Sequence, residues 1–447
     1  MPSSLLLVNG LLADPATPPR VLTDHALLIQ DGRIAKIASR SSIPANGVPT
    51  MDLGGKLVLP GFINAHTHLY STFACGLAPA EPAADFLGIL QHLWWRLDKA
   101  LTLEDCYHSA LPALLAAIRS GTTTLIDHHA SPCAVRGSLD AIACAVLQTG
   151  LRACLCYEVS DRDGMEAARL GIEENQDFLR RCRGTPHDRI RGLFGLHASF
   201  TLSGSTLEAA GAAAKETQSG VHIHVAESEA DQRITRERHG VRVVERLHRF
   251  GLLGRGSIAA HCVHLSDAER EHLAATGTMV VHNPQSNLNN AVGIADIGAC
   301  QKRGITVGLG TDAMTADMLE ELRTGVWSQR HKQGTPSAGV PELTSALWSG
   351  NPAIVSRLWG TDLGTLREGA MADIAIVEYA PPTPLTDESL LGHLVFGAMG
   401  GRVVTTIVGG EILMKDGTLL LDIDETEVMA HAQESARRVW SRFTLST

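Results

Sequence analysis

The chain has 447 residues, 44% of them apolar and 19% charged, with a net charge of −10 at pH 7. That apolar content supplies a large buried core and excludes a mainly disordered chain. The acidic balance, with no basic cluster, excludes an electrostatic footprint for nucleic acid or an anionic membrane.

The N-terminal "MPSSLLLVNGLLADP" has a short apolar run with no positive leader and reads as a strand, not a secretory signal. No window of about 18 or more apolar residues offers a membrane span. Up to residue 59, "LLLVNGLL", "HALLIQDGRIAKIA" and "MDLGGKLVLP" read as short strands with tight turns at Asp31-Gly32 and Gly54-Gly55. Apolar runs then alternate with helical patterns: "KLVLPGFINAH", "TTTLIDHH", "RACLCYEV", "RIRGLFGLH", "GVHIHVAE", "SIAAHCVH", "GTMVVHNP" and "ITVGLGTD". The amphipathic stretches between them stop at glycines, as "LEDCYHSALPALLAAIRSG" does at Gly121 and "SLDAIACAVLQTG" at Gly150. Eight strand–helix units of this kind predict an α/β fold, a (β/α)8 TIM-like barrel over residues 60–365. The tail, "ADIAIVEY" and "VVTTIVGGEILMKDGTLL", returns to short strands. Neither end has enough strands to stand alone. The expectation is a small β-sandwich built from 1–59 and 366–447, the second part carrying a C-terminal helix. Nine scattered cysteines without a CxxC pair predict reduced thiols in a cytoplasmic protein.

Polar residues collect where the apolar runs end. The first run ends at His66 and His68, the fifth at His224 with Glu227 three residues on, the sixth at His261 and the eighth at Asp312. In a parallel barrel these positions share one mouth, and residues i and i+2 of a strand face the same side. A lone histidine is more often a satisfied core or surface group, which is the reading for His25, His187, His239 and His248. The rim cluster is different, because burying it without a metal would leave several polar groups unpaired at roughly 1–3 kcal/mol each. No lysine occurs between Lys99 and Lys215, so a carboxylated-lysine bridge between two metals has no source in the second to fourth strands. The expectation is one divalent ion on His66, His68, His224 and Asp312, with Zn²⁺ first and Fe²⁺ second for such a donor set.

The motifs "PGFINAHTHL", "HIHVAES", "AAHCVHL", "VHNPQSN" and "GLGTDA" resemble the amidohydrolase superfamily in its cytosine-deaminase-like branch of metal-dependent hydrolases. "LWWRLDKAL", "IDHHASP", "SNLNNAVG" and "PPTPLTD" with "LLGHLVFG" are similar, more narrowly, to the SsnA aminohydrolase family. The resemblance implies that His66, His68, His224 and Asp312 hold the metal and that Glu227 and His261 shuttle protons. It also implies that the chain acts as a homo-oligomer, a dimer or larger. Retention of Glu227 in "HVAE" favours deamination. The implied activity is an aminohydrolase releasing ammonia from a small planar N-heterocycle of purine, pyrimidine or pterin type with a metal-activated hydroxide, Asp312 taking the water's proton. The alternative is a mononuclear ring-opening hydrolase of cyclic amides or imides. His197, His129 and Trp95 are the candidate substrate contacts. In "GLHASFTLS", Ser199 stands where relatives often carry proline, which loosens any inference about that loop.

Overall fold

The computed structural model describes residues 4–43, 47–184, 187–397 and 401–445. The apolar runs form two parallel sheets of an α/β fold. One contains Phe62–Thr67, Thr122–His129, Arg152–Tyr157 and Ile190–Gly192. The other contains Phe194–Ala198, Val221–Val225, Ile258–His261, Met279–His282 and Val307–Leu309. Every residue of Thr122–His129 and Arg152–Tyr157 is buried, as covering both faces of a parallel sheet demands. Helix Leu103–Arg119 starts at a capping box in which Thr102 and Asp105 satisfy each other's backbone N–H groups. Helix Ser138–Thr149 stops at Gly150, whose φ of 75° closes the last turn in the left-handed region.

"RIRGLFGLH" reads as one strand but serves both sheets. Ile190–Gly192 pairs with Arg152–Tyr157, and Phe194–Ala198 pairs with Val221–Val225. Gly195 permits the crossing, since a Cβ there would sit 2.3 Å from the Tyr157 carbonyl oxygen. At the opposite edge Thr67 and Asp312 form a parallel bridge, and the His66 carbonyl accepts from the N–H groups of Thr311 and Asp312 at 2.9 Å. Side chains supply the rest of this edge. Asn351 Nδ2 donates to the carbonyls of Ile63 (2.6 Å) and Leu309 (2.9 Å), and Asn64 Nδ2 donates to Thr311 Oγ1 at 2.7 Å. Gly310 lets the two backbones close in, because a Cβ there would lie 2.7 Å from the His66 nitrogen.

The two ends of the chain share a seven-stranded sheet in which Leu57–Pro60 pairs antiparallel with Ile374–Glu378. A four-stranded sheet of Ser4–Val8, His25–Gln30, Arg33–Ser39 and Thr50–Asp52 packs on it, burying Leu7, Leu27 and Ile34 against Val58, Ile374 and Ile407. The expected turn at Asp31-Gly32 is present, with φ of 48° and 76°. Arg152, fully buried, donates to Asp373 at 3.0 and 3.4 Å and so ties a parallel strand to the C-terminal sheet. Helix Glu425–Leu445 lies along Leu103–Arg119. From it Arg442 pairs with Asp105, and Trp440 Nε1 donates to the Phe73 carbonyl at 2.7 Å. The second contact braces Leu69–Ala74, the turn that follows His68. All nine cysteines are free. Among the described residues no helix is long and apolar enough to cross a membrane.

Candidate metal centre and active site

At the C-terminal ends of the parallel strands the backbone leaves regular geometry. Ala226, His261 and Asp312 adopt φ of 48°, 69° and 55°. Non-glycine residues occupy this left-handed region rarely, and it persists only where surrounding contacts impose it.

His66, His68, His224 and Asp312 come together here. His68 Nε2 lies 2.9 Å from Asp312 Oδ1 and 3.3 Å from His224 Nε2, while His66 Nε2 is 3.6 Å from the same Asp312 oxygen. The ring orientations follow from the other nitrogens. Nδ1–H of His68 donates to the His128 carbonyl at 2.5 Å, and Nδ1–H of His224 donates to the His197 carbonyl at 2.9 Å. Both Nε2 atoms therefore face the common centre. Burial pushes His66 down to about 3 and His224 well below its ordinary range, so both rings are neutral, the form in which imidazole binds a metal. His68 differs. Burial opposes its charge, but the hydrogen bond to Asp312 and the charges of Asp312, Glu158 and Asp127 raise it to about 9. This point of the molecule favours a positive charge.

Two proton-handling groups adjoin the cluster. His261 Nδ1 lies 2.8 Å from Asn287 Oδ1, which fixes Nδ1 as the donor and turns Nε2 inward, 3.6 Å from Glu227 Oε2 and 3.9 Å from Asp312 Oδ2. Burial raises Glu227 to about 7, with the Asp312 charge adding to the rise against the pull of His261. Ser286 donates to Asp312 Oδ2, and Asn290 Nδ2 reaches Ser286 Oγ at 3.4 Å and Glu227 Oε1 at 3.5 Å, so one hydrogen-bonded chain joins the two carboxylates.

A cavity opens above these groups. His68, His224, Glu227 and Asp312 line its floor, and Trp95 and His197 line its wall. His197 Nδ1 is tied to Thr201 Oγ1 at 2.6 Å, leaving Nε2 toward Glu158 at 3.8 Å. His129, expected as a substrate contact, is corrected. Its ring turns outward against Cys106 (3.4 Å) and Ser131 (2.9 Å) and does not line the cavity. Its neighbour His128 faces inward, with Nδ1 3.2 Å from Glu158 and Nε2 3.2 Å from the carbonyls of Leu196 and His222. Ser199 is also better anchored than its departure from proline implies: Arg246 Nη1 donates to its carbonyl at 2.6 Å, and Thr235 Oγ1 to its hydroxyl at 3.0 Å.

The outer pole holds residues that the sequence reading missed. Arg162 donates to Asp98, to Glu158 at 3.0 Å and to Asp163 at 3.2 Å, with its guanidinium 5.5 Å from the Trp95 ring centre. Burial opposes the charge of Glu158, yet His197, His128 and Arg162 together hold it well below the ordinary carboxylate range. Glu158 follows the third strand directly, so the strand-end rule that found His197 applies to it as well.

The residues fit a divalent cation. Ligand atoms of His66, His224, His261 and Asp312 lie within 4.8 Å of one another, and among the described residues the buried Nε2 of His66 and of His261 have no hydrogen-bond partner. Buried polar atoms are otherwise almost always paired, so lone pairs left bare around a carboxylate mark a place for a cation.

Residues 57–413 match the amidohydrolase family. The chain is 35% identical over 422 residues to the 5′-deoxyadenosine deaminase of Methanosarcina mazei, covering 93% of this chain and 94% of the relative. It is 33% identical over 417 residues to the 5-methylthioadenosine/S-adenosylhomocysteine deaminase of Desulforudis audaxviator, covering 92% and 94%. Among solved structures, an adenosine deaminase from Xanthomonas campestris with bound zinc superposes with a TM-score of 0.84 over 98% of both chains at 24% identity. Through the family match and these long alignments, the chain belongs to the amidohydrolase family, hydrolases of carbon–nitrogen bonds.

Proposed function

We propose that the protein is a zinc-dependent aminohydrolase that removes an amino group, as ammonia, from a purine-type heterocycle. In this reading the two parallel sheets constitute one closed (β/α)8 barrel over residues 60–365, and a β-sandwich from 1–59 and 366–447 flanks it. The observation that carries the proposal is the placement of both Glu227 and Asp312 beside His261 Nε2, at 3.6 and 3.9 Å, with both carboxylates lining the cavity. The named relatives, deaminases of adenosine-type compounds, support the reaction class.

His66, His68, His224 and Asp312 would hold the ion. Bound there, a divalent cation supplies a nucleophile at neutral pH by lowering the pKa of a water from about 15.7 to about 7. The protein's own groups do the rest. His261 Nε2, its other nitrogen fixed by Asn287, orients the attacking water, and Asp312 receives the proton the water loses. Glu227, held near 7 by burial, donates a proton to the ring nitrogen beside the amino-bearing carbon, which makes that carbon a better electrophile. Asp312 then passes its proton to the amino group, which leaves as ammonia, while the hydroxyl on the tetrahedral carbon gives its proton back to Glu227 as the carbonyl forms. Each such proton transfer contributes about 10²–10⁴-fold. Trp95 and His197 offer a flat wall and a ring nitrogen to a planar substrate.

The outer pole bears on what the ring carries. Three carboxylates already answer Arg162 and Lys99 pairs with Asp163, so among the described residues a substituent meets no uncommitted cation there. An uncharged group, such as the sugar of 5′-deoxyadenosine, suits this pole better than a carboxylate or phosphate.

The test is ammonia release from a panel of aminopurines and their nucleosides, before and after removal of the metal with a chelator. Release from at least one compound, lost with the metal and restored by zinc, is the expected result. Ring-opened product from a lactam with no ammonia from any aminopurine overturns the proposal.

A further inference from the structure

Two of the four ligand candidates are aimed by the main chain: His68 and His224 each donate Nδ1–H to a backbone carbonyl, at 2.5 and 2.9 Å. His66 is aimed by a side chain. Its Nδ1 lies 2.9 Å from Nε2 of His222, which sits two residues before His224 on the strand Val221–Val225. His222 is completely buried and keeps out of the cavity.

The proton positions along this contact can be deduced from its far end. His222 Nδ1 lies 3.7 Å from Cys156 Sγ, and that sulfur lies 3.5 Å from the Asp127 carbonyl oxygen. A carbonyl only accepts, so the Cys156 thiol donates to it. The sulfur then accepts from His222 Nδ1–H. A neutral imidazole has one N–H, so His222 Nε2 is an acceptor and His66 Nδ1 carries the proton. His66 Nε2 is left as a bare lone pair 3.6 Å from Asp312, without a hydrogen-bond partner among the described residues.

We propose that His222 is a positioning residue for the metal centre: through its hydrogen bond to Nδ1 it fixes the tautomer and ring orientation of His66, so that Nε2 is presented to the cation. The role rests on the metal reading above and extends it to a residue that touches neither cation nor substrate. Outer partners of metal-bound histidines typically control affinity by about 10–100-fold.

The test is zinc affinity, measured by titrating the metal-free full-length protein against a chromophoric chelator, with thermal unfolding of each metal-free variant as the control for folding. His222→Phe keeps a ring but removes the acceptor. His222→Gln places an amide oxygen near the position of Nε2, and His222→Met has nearly the shape of Gln without that oxygen. The expected result is binding weakened about 10–100-fold in the Phe and Met variants and restored to within about threefold by Gln. Where His222→Phe does not fold, the Gln and Met pair decides. Equal affinity in the Gln and Met variants, or parental affinity in His222→Phe, overturns the proposal while leaving the metal centre standing. Failure of the parent chain itself to bind zinc overturns the metal reading, and this role falls with it.

Discussion

The floor and the outer pole of the cavity both set basic side chains against carboxylates, yet they end in opposite electrostatic states. At the floor, burial holds His66 and His224 neutral while the acidic surroundings raise His68 to about 9, and among the described residues Nε2 of His66 and of His261 have no hydrogen-bond partner. At the outer pole Arg162 distributes its N–H groups over Asp98, Glu158 and Asp163, and Lys99 answers Asp163 from the other side at 2.7 Å. The unpaired set has a reason to bind something and is poised for chemistry. The paired set is closer to self-sufficient and chiefly shapes the cavity. Substitutions at the floor should therefore alter turnover or metal content at little cost to folding, whereas those at the outer pole should do the reverse.

The largest expected effect is at Glu227. Glu227→Gln removes the proton donor but keeps the shape, and should lower kcat by about 10²–10⁴-fold with zinc content and thermal stability unchanged. Because burial holds the carboxyl up at about 7, its acid form is present below that pH and lost above it. Parental kcat/KM should therefore decline as pH rises through about 7. A Glu227→Gln enzyme as fast as the parent, or a parental rate still climbing above that pH, would remove Glu227 from the proton path.

Arg162→Ala tests the other pole. It strands buried carboxylates, and removing one partner of a buried pair typically costs about 3–5 kcal/mol. Denaturant unfolding should show a loss of that order while zinc stoichiometry stays at the parental value. Lost zinc with unchanged stability would mean that the two poles are not separable as described. Ser286→Ala lies between these cases. It removes the hydroxyl that donates to Asp312 and links it through Asn290 to Glu227. A hydrogen bond to a charged group contributes roughly 1.5–3 kcal/mol, so kcat/KM should fall about 10–100-fold. Unfolding should barely move, and an unchanged rate would dismiss this chain of contacts.

The floor was far more legible in the sequence than the outer pole, and the reason is geometric. His66, His68, His224, His261 and Asp312 stand at the ends of apolar runs, and parallel strands bring such positions to one rim whatever the loops do. Asp98 sits on the short helix Trp95–Lys99 and Arg162 in the loop after the third strand; only the packing of those connections brings them together. Alternation along "TTTLIDHH" shows that one histidine faces inward and the other outward, but it does not say which. The strand ends at His129 and the inward ring belongs to His128, so the candidate contact His129 is the one that faces away. The fourth apolar run gave the right element and the wrong extent, because the switch between sheets at Leu193 depends on how closely Gly195 approaches Tyr157, a contact with no periodicity.

Trp95 sits where the two regimes meet, and the smallest expected effect lies there. Its ring carries the Arg162 guanidinium at 5.5 Å and stands edge-on to His197 at 6.1 Å, while its indole N–H is shielded from solvent and has no partner among the described residues. If the substrate supplies the missing acceptor, Trp95→Phe keeps an aromatic wall and deletes one neutral hydrogen bond, worth about 0.5–1.5 kcal/mol, or roughly 2–12-fold in KM. The proton-transfer groups lie at the floor, so kcat should stay at the parental value. A fall in kcat at constant KM would place Trp95 with the floor and not with the wall. A drop in stability without any kinetic change would place it wholly with the Arg162 network.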